Sequence, residues 1–279
     1  MTRASHGDLS RQRASTVQWK VARVTALGEV FQSGRLVGTA VRLTIQVLLT
    51  TSLWRALYAE TESSAGLDRD QAVTFAVLAA LSLQIRGMDR SAARDTLIQH
   101  MYDGTVLYWY LRPLPARHYY CIRAVGDQLY GALWTLIGYT ACLVSGIVAP
   151  PVSGSVAALF AVSLLFGQIT VYYLFLLADL ICFWTMLNNS AVLILRFIQN
   201  LLSGVFAPLW FFPGWFIDVS SFLPFQGTLN TPLSIYVGRI PVGTALREIA
   251  TQLVWCLLLA GISRKIWSQA SKRVTVQGG

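Results

Sequence analysis

Residues 154–178 read GSVAALFAVSLLFGQITVYYLFLLA, from Gly154 to Ala178, without one charged side chain. As an α-helix this run would be about 38 Å long, and the hydrocarbon core of a bilayer needs only about 20 apolar residues. The few polar side chains are hydroxyls and one amide, which neighbouring helices can satisfy. The run therefore reads as a transmembrane helix, and it sets the class of the protein.

The composition agrees. Of 279 residues, 54% are hydrophobic and 13% charged, and the mean hydropathy is +0.53. A soluble domain carries about 25% charged residues, so this chain has too few to clothe a soluble core of its size. The pattern predicts an all-α membrane protein of six spans, at about 36–59, 71–87, 122–148, 154–178, 191–208 and 244–267. Residues 1–35 are polar and basic, without the apolar core and small-residue cleavage site of a leader, so the first span is expected to act as its own insertion signal. Within this segment Val17, Val21, Val24, Leu27 and Phe31 recur at helical spacing between charges, which predicts an amphipathic helix over 17–33, lying on the inner face of the membrane or packed on the protein. The transmembrane domain spans 36–267 and a tail follows at 268–279.

Charge sets the orientation. Arg3, Arg11, Arg13, Lys20, Arg23 and Arg35 precede the first span. Arg86, Arg90, Arg94, Arg112, Arg117 and Arg123 lie between the second and third, and Arg264, Lys265, Lys272 and Arg273 close the last. The loop after the first span is acidic. An even span number puts all three basic regions on one side, so both termini are expected in the cytoplasm of a multi-pass plasma-membrane protein. The net charge of +9 then reports topology and contact with anionic lipid rather than a nucleic-acid surface.

Between the last two spans, 209–239 is apolar but broken by Pro213, Pro224 and Pro232, and it carries Trp210, Phe211, Phe212, Trp215, Phe216, Phe222 and Phe225. No straight helix tolerates prolines at that density, and such aromatics favour the interface. The expectation is a pair of short re-entrant helices in the outer leaflet. On the cytoplasmic side, Leu97, Ile98 and Met101 form one face of a short helix ending near Gly104. That element suits either a partner's grip or a surface helix steadying the bundle.

Other residue classes point away from chemistry in this chain. Its lysines are Lys20, Lys265 and Lys272, none followed by Ser or Thr, so there is no phosphate-binding P-loop. Cys121, Cys142, Cys182 and Cys256 lack CxxC spacing and read as small apolar fillers, and the three histidines are scattered. No cofactor or metal is expected. Among polar residues inside spans, Arg42 and Arg55 can snorkel, and Asp179 can cap a helix or pair with Arg196. Gln199 and Asn200 are expected to face either a translocation path or a second permease.

Several strings carry a resemblance. Asp103-Gly104-Thr105 is followed by Leu111-Arg112-Pro113-Leu114-Pro115. Leu202-Ser203-Gly204 is followed by Pro208-Leu209-Trp210-Phe211-Phe212-Pro213-Gly214-Trp215. Then come Leu223-Pro224-Phe225, Pro232 and Ile235-Tyr236-Val237-Gly238-Arg239. With Leu53-Trp54-Arg55-Ala56-Leu57-Tyr58, these are similar to the motifs of the six-span permeases of type-2 ABC exporters. The resemblance implies a permease subunit without enzymatic activity, paired with an identical or related permease. Two copies of a separate ATPase would hold ATP and Mg. It implies a coupling helix bearing Leu97, Ile98, Met101, Tyr102, Asp103, Gly104 and Arg112, and an exit gate at Pro208, Phe211, Phe212, Pro213 and Trp215. The weakly charged, aromatic interior suggests an amphiphilic cargo such as a drug-like metabolite, a peptide or a lipid. The rivals are a membrane-embedded lipid-modifying enzyme, a non-catalytic scaffold and an ion-coupled transporter. An enzyme would need convergent acid–base groups at one membrane face, and an ion-coupled transporter usually breaks helices in both halves.

Overall fold

A computed structural model describes residues 33–59, 63–64, 67–85, 97–111, 115–185 and 189–273. The amphipathic helix expected over 17–33 lies outside these residues, apart from its last position, as does the end of the tail.

Apart from a two-residue antiparallel hairpin, Ser63–Ser64 with Leu67–Asp68, the described residues form helices. In chain order these are α1 (Ser33–Leu57), α2 (Arg69–Ser82), α3 (Leu97–Tyr102), α4 (Leu107–Leu111), α5 (Ala116–Val144), α6 (Gly154–Leu180), α7 (Cys182–Thr185) and α8 (Asn189–Leu202). They continue with α9 (Gly214–Ser221), α10 (Asn230–Tyr236) and α11 (Val242–Ser271), and 3-10 turns occupy Leu209–Phe211 and Gln226–Thr228.

Among the described residues three helices are long and apolar enough to cross a membrane: Leu36–Leu57, Gly154–Thr185 and Val242–Ser271. The other long helix, α5, has 29 residues, but its first half carries Arg117, His118, Arg123, Asp127 and Gln128. It begins at Ala116 rather than near 122, because Pro115 sits at its N-cap and its carbonyl accepts from the amides of His118 and Tyr119. Each 14 residues long, α2 and α8 are about 21 Å in length. The end of α8 at Leu202 falls short of the expected 208. The amides of Ser203 and Val205 turn back there onto the carbonyls of Gln199 and Asn200, and Pro208 lies just beyond.

At the centre, α6 packs along α11 and also meets α10, the 226–228 turn, α8 and α3. On the other side, α1 packs on α2, and α2 on α5 and α10. Every residue of α2 from Ala72 to Ser82 is buried, which its unbroken apolar sequence permits only inside a bundle. The opposite case is α1: Val37, Leu49, Leu53 and Leu57 are exposed, and without lipid or a second chain that surface would be costly.

Candidate functional site

The sequence singles out two regions, and the structure places them against different ends of the same helix. The first is the connection 97–111. Helix α3 ends in a turn in which the Gly104 amide donates to the Met101 carbonyl and the Val106 amide to the His100 carbonyl. Gly104 adopts a φ of 67°, a left-handed geometry that suits glycine. Leu97 is 1% exposed and Ile98 is also buried. They join Val106, Trp109, Tyr120, Phe175, Leu176, Leu180 and Trp267 in one apolar cluster at the ends of α5, α6 and α11. Met101 packs against the same cluster, and the Cys182 thiol lies 3.3 Å from its sulfur.

The apolar face of α3 is therefore turned into the protein. Tyr102, Tyr108 and Leu111 are exposed, as are Asp103 and Gly104, so these residues present the surface of the connection. Arg112 lies outside the described residues. The anchor of the connection is Trp109, 2% exposed. His100 meets it edge-on at 4.8 Å, Tyr119 at 5.2 Å, and the Arg123 guanidinium lies 5.6 Å from its ring. Beside it the Tyr120 hydroxyl donates to an Asp179 carboxylate oxygen at 2.5 Å. Sequence reasoning missed Trp109 and Tyr120, and nothing near either residue in sequence announces those pairings.

The second region is the broken stretch 203–239. Its turns leave many backbone groups outside regular helices, and such groups need partners wherever water is excluded. Polar side chains of the stretch itself and of neighbouring helices supply several. The buried Gln252 of α11 donates to the Gly227 carbonyl at 2.5 Å and to the Ser163 carbonyl at 3.2 Å. Gln199 of α8 donates to the Thr228 hydroxyl at 2.6 Å, which donates onward to the Phe225 carbonyl. Asn230 accepts from the Leu209 amide. The Tyr236 hydroxyl donates to the Ala149 carbonyl, and Gln71 donates to the Val237 carbonyl. Gln199 thus reaches the 226–228 turn of its own chain, while Asn200 is half-buried beside it.

A close approach holds this region to α6. A Cβ built on Gly167 would lie 2.7 Å from the Thr228 carbonyl oxygen and 3.0 Å from that of Gly227. Only a glycine lets the helix and the turn touch backbone to backbone.

The aromatic segment is divided. Pro208 and Leu209 are buried. Trp210 packs edge-on to Phe75 at 4.6 Å, and the Arg239 guanidinium sits 4.6 Å from its ring centre. Phe212 stacks on Phe216 at 4.6 Å. Phe211, near Trp54 at 5.7 Å, and Trp215, 68% exposed, face outward, as does Pro213. Arg42 donates to the buried Gln84 at 2.8 Å.

The family described as ABC-2 family transporter protein matches residues 43–278. That range holds both the connection 97–111 and the broken stretch 203–239. No curated protein and no solved structure gives a match. With a bundle of apolar helices and a match that covers most of its length, the chain belongs to the ABC-2 transporter family and is the membrane permease of an ABC transporter, whose family implies an ATPase on a separate subunit.

Proposed function

We propose that this permease is half of an ATP-driven exporter and crosses the membrane six times with both termini in the cytoplasm. Helices α1, α2, α5, α6, α8 and α11 are the crossings, with α2 and α8 short because turns at their ends complete the passage. The placement of basic residues supports the orientation. A second permease, identical or homologous, encloses the path, and two ATPase copies bind ATP and Mg outside this chain.

The observation that carries the reading is the double contact of α6. Near its C-terminal end, Leu176 and Leu180 share a cluster with Leu97 and Ile98. At Gly167 the same helix meets the re-entrant turn. The two contacts are about 14–20 Å apart along the axis. In the proposed mechanism the ATPase pair closes on ATP and presses on Tyr102, Asp103 and Gly104. Leu97, Ile98 and Met101 pass the load to α6, and α6 moves the turn that carries Phe211, Phe212 and Trp215 at the exit. ATP and cargo then bias one inward/outward equilibrium. The cargo class that fits the aromatic, weakly charged wall is amphiphilic.

The test is co-expression with the partner ATPase. Tyr102→Arg and Asp103→Arg change only exposed positions, so the chain should insert and assemble normally. Cargo-stimulated ATP hydrolysis should fall about tenfold, the equivalent of about 1.4 kcal/mol of lost coupling. Unchanged stimulation with normal assembly would remove this connection from the coupling path.

A further inference from the structure

A cavity of about 330 Å³ opens between the re-entrant turn, α6 and the first turns of α11. Its wall differs in kind from the apolar surfaces around it. It includes Thr170, Gln226, Arg247, Glu248, Thr251 and Gln252. Among the described residues neither Arg247 nor Glu248 forms an ion pair. Gln252 is only 4% exposed. Its amide nitrogen is used by the Gly227 and Ser163 carbonyls, but its side-chain oxygen has no hydrogen-bond donor, and neither does that of Gln226. Buried acceptors left without a donor cost about 1–3 kcal/mol each, so the wall is short of donors.

The position in the membrane narrows the occupant. From Ile249 to Ser263, α11 carries no charge, a rise of about 22 Å. Arg247 and Glu248 stand at one end of that apolar length, and Arg264 and Lys265 at the other. The cavity therefore starts at a membrane border and reaches inward. Below it on the same face of α11, at helical spacing from Arg247 and Thr251, come Val254, Leu258 and Ile262. These are 55, 51 and 45% exposed. A polar cavity at headgroup level with an apolar stripe leading away from it fits an amphiphile whose head is held and whose tail lies along the helix.

The head must bring an anion for Arg247 and N–H donors for Glu248, Gln226 and Gln252. A primary ammonium has three donors to match those three acceptor groups. A quaternary ammonium has none, and a glycerol headgroup brings no cation. We infer that this cavity binds the headgroup of a zwitterionic phospholipid with a primary ammonium, of the phosphatidylethanolamine type. Arg247 receives the phosphate, Glu248 with the two glutamines receives the ammonium, and Val254, Leu258 and Ile262 carry an acyl chain. A volume near 300 Å³ is at the lower end of small-molecule sites, which suits a headgroup rather than a whole lipid.

The experiment uses the purified full-length chain, stripped of lipid in detergent. It is titrated with dioctanoyl phosphatidylethanolamine, phosphatidylcholine or phosphatidylglycerol, and native mass spectrometry counts the adducts. The expected result is one phosphatidylethanolamine per chain at about tenfold higher occupancy than either other lipid, with Glu248→Gln and Arg247→Gln each removing the preference. Equal occupancy of the three lipids on the unmodified chain overturns the proposal, and this arm does not depend on any variant folding. A preference that survives both substitutions also overturns it, since the site would then lie elsewhere. Equal binding of water-soluble glycerophosphoethanolamine overturns the lipid assignment, because the apolar stripe would then add nothing. The readout needs no ATPase and no transport, so failure here leaves the exporter reading standing, and the reverse also holds.

Discussion

Adding one methyl group at Gly167 should destabilise this protein more than adding the same methyl at Gly138. Both glycines lie inside long helices, α6 and α5. Replacing glycine by alanine in a helix interior gains about 0.8–1 kcal/mol from propensity. What opposes the gain differs. At Gly138 the new Cβ would come 2.6 Å from Leu81 Cδ2, with the next atoms of that side chain at 3.7 Å. A leucine tip can turn away, at about 0.5–1.5 kcal/mol for a rotamer pushed off its well, so the net effect should be close to zero. At Gly167 the obstacles are the Thr228 and Gly227 carbonyl oxygens and the Thr228 carbonyl carbon, the last at 3.1 Å. All are backbone. Relief requires the whole 226–228 turn to back away, which strains the Gln252–Gly227 and Gln199–Thr228 hydrogen bonds. Overpacking costs about 1–3 kcal/mol, and each weakened hydrogen bond about 1. After the propensity gain, Gly167→Ala should lose about 2–4 kcal/mol. Unfolding of the full-length chain in detergent, followed by its tryptophan fluorescence, measures both variants side by side. A Gly167→Ala protein as stable as the parent, with Gly138→Ala impaired, would refute the reasoning and remove the backbone contact that links α6 to the 226–228 turn.

Further outcomes follow from other contacts. Tyr120→Phe should cost about 1.5–3 kcal/mol, because the bond it removes ends on the Asp179 carboxylate. Asp179→Asn keeps a neutral acceptor and should cost less, and equal losses in the same unfolding assay would argue against a charge-assisted bond. Gly104→Ala places a Cβ at a φ of 67° and should cost about 1–2 kcal/mol, read as increased proteolysis of the 97–111 connection. Arg239→Gln removes the cation above Trp210 and should blue- or red-shift and weaken the tryptophan emission while costing about 0.5–2 kcal/mol. An unaltered spectrum would mean that the guanidinium does not sit on that ring in the membrane.

What could be read from the sequence was local. The uncharged run at 154–178 announces α6, and the prolines and glycines after 207 announce short helices: Pro213 stands directly before α9. The face formed by Leu97, Ile98 and Met101 was visible as well, but not its direction. Periodicity identifies an apolar face without saying whether it meets the protein's own core or a partner. The contacts that organise the site were hidden for a different reason. Tyr120 and Asp179 are 59 residues apart, Gln199 and Thr228 29, Phe75 and Trp210 more than a hundred. A single glycine at 167 looks like any small residue in an apolar run until the turn that approaches it is in place. Helix ends were hidden where the chain closes a helix by folding its own amides back, as after Leu202.

The enclosure of α2 has a consequence for how the chain is made. Its walls include α10, which ends at Tyr236, about 150 residues after α2 ends at Ser82. At about 5–20 residues per second of synthesis, α2 leaves the ribosome roughly 8–30 s before its last neighbour does. For that interval a helix too short to reach across the hydrocarbon core has only α1, and then α5, beside it. Its nascent form is a natural substrate for an insertase or a membrane chaperone, and the order in which this permease assembles is set by how long α2 must wait.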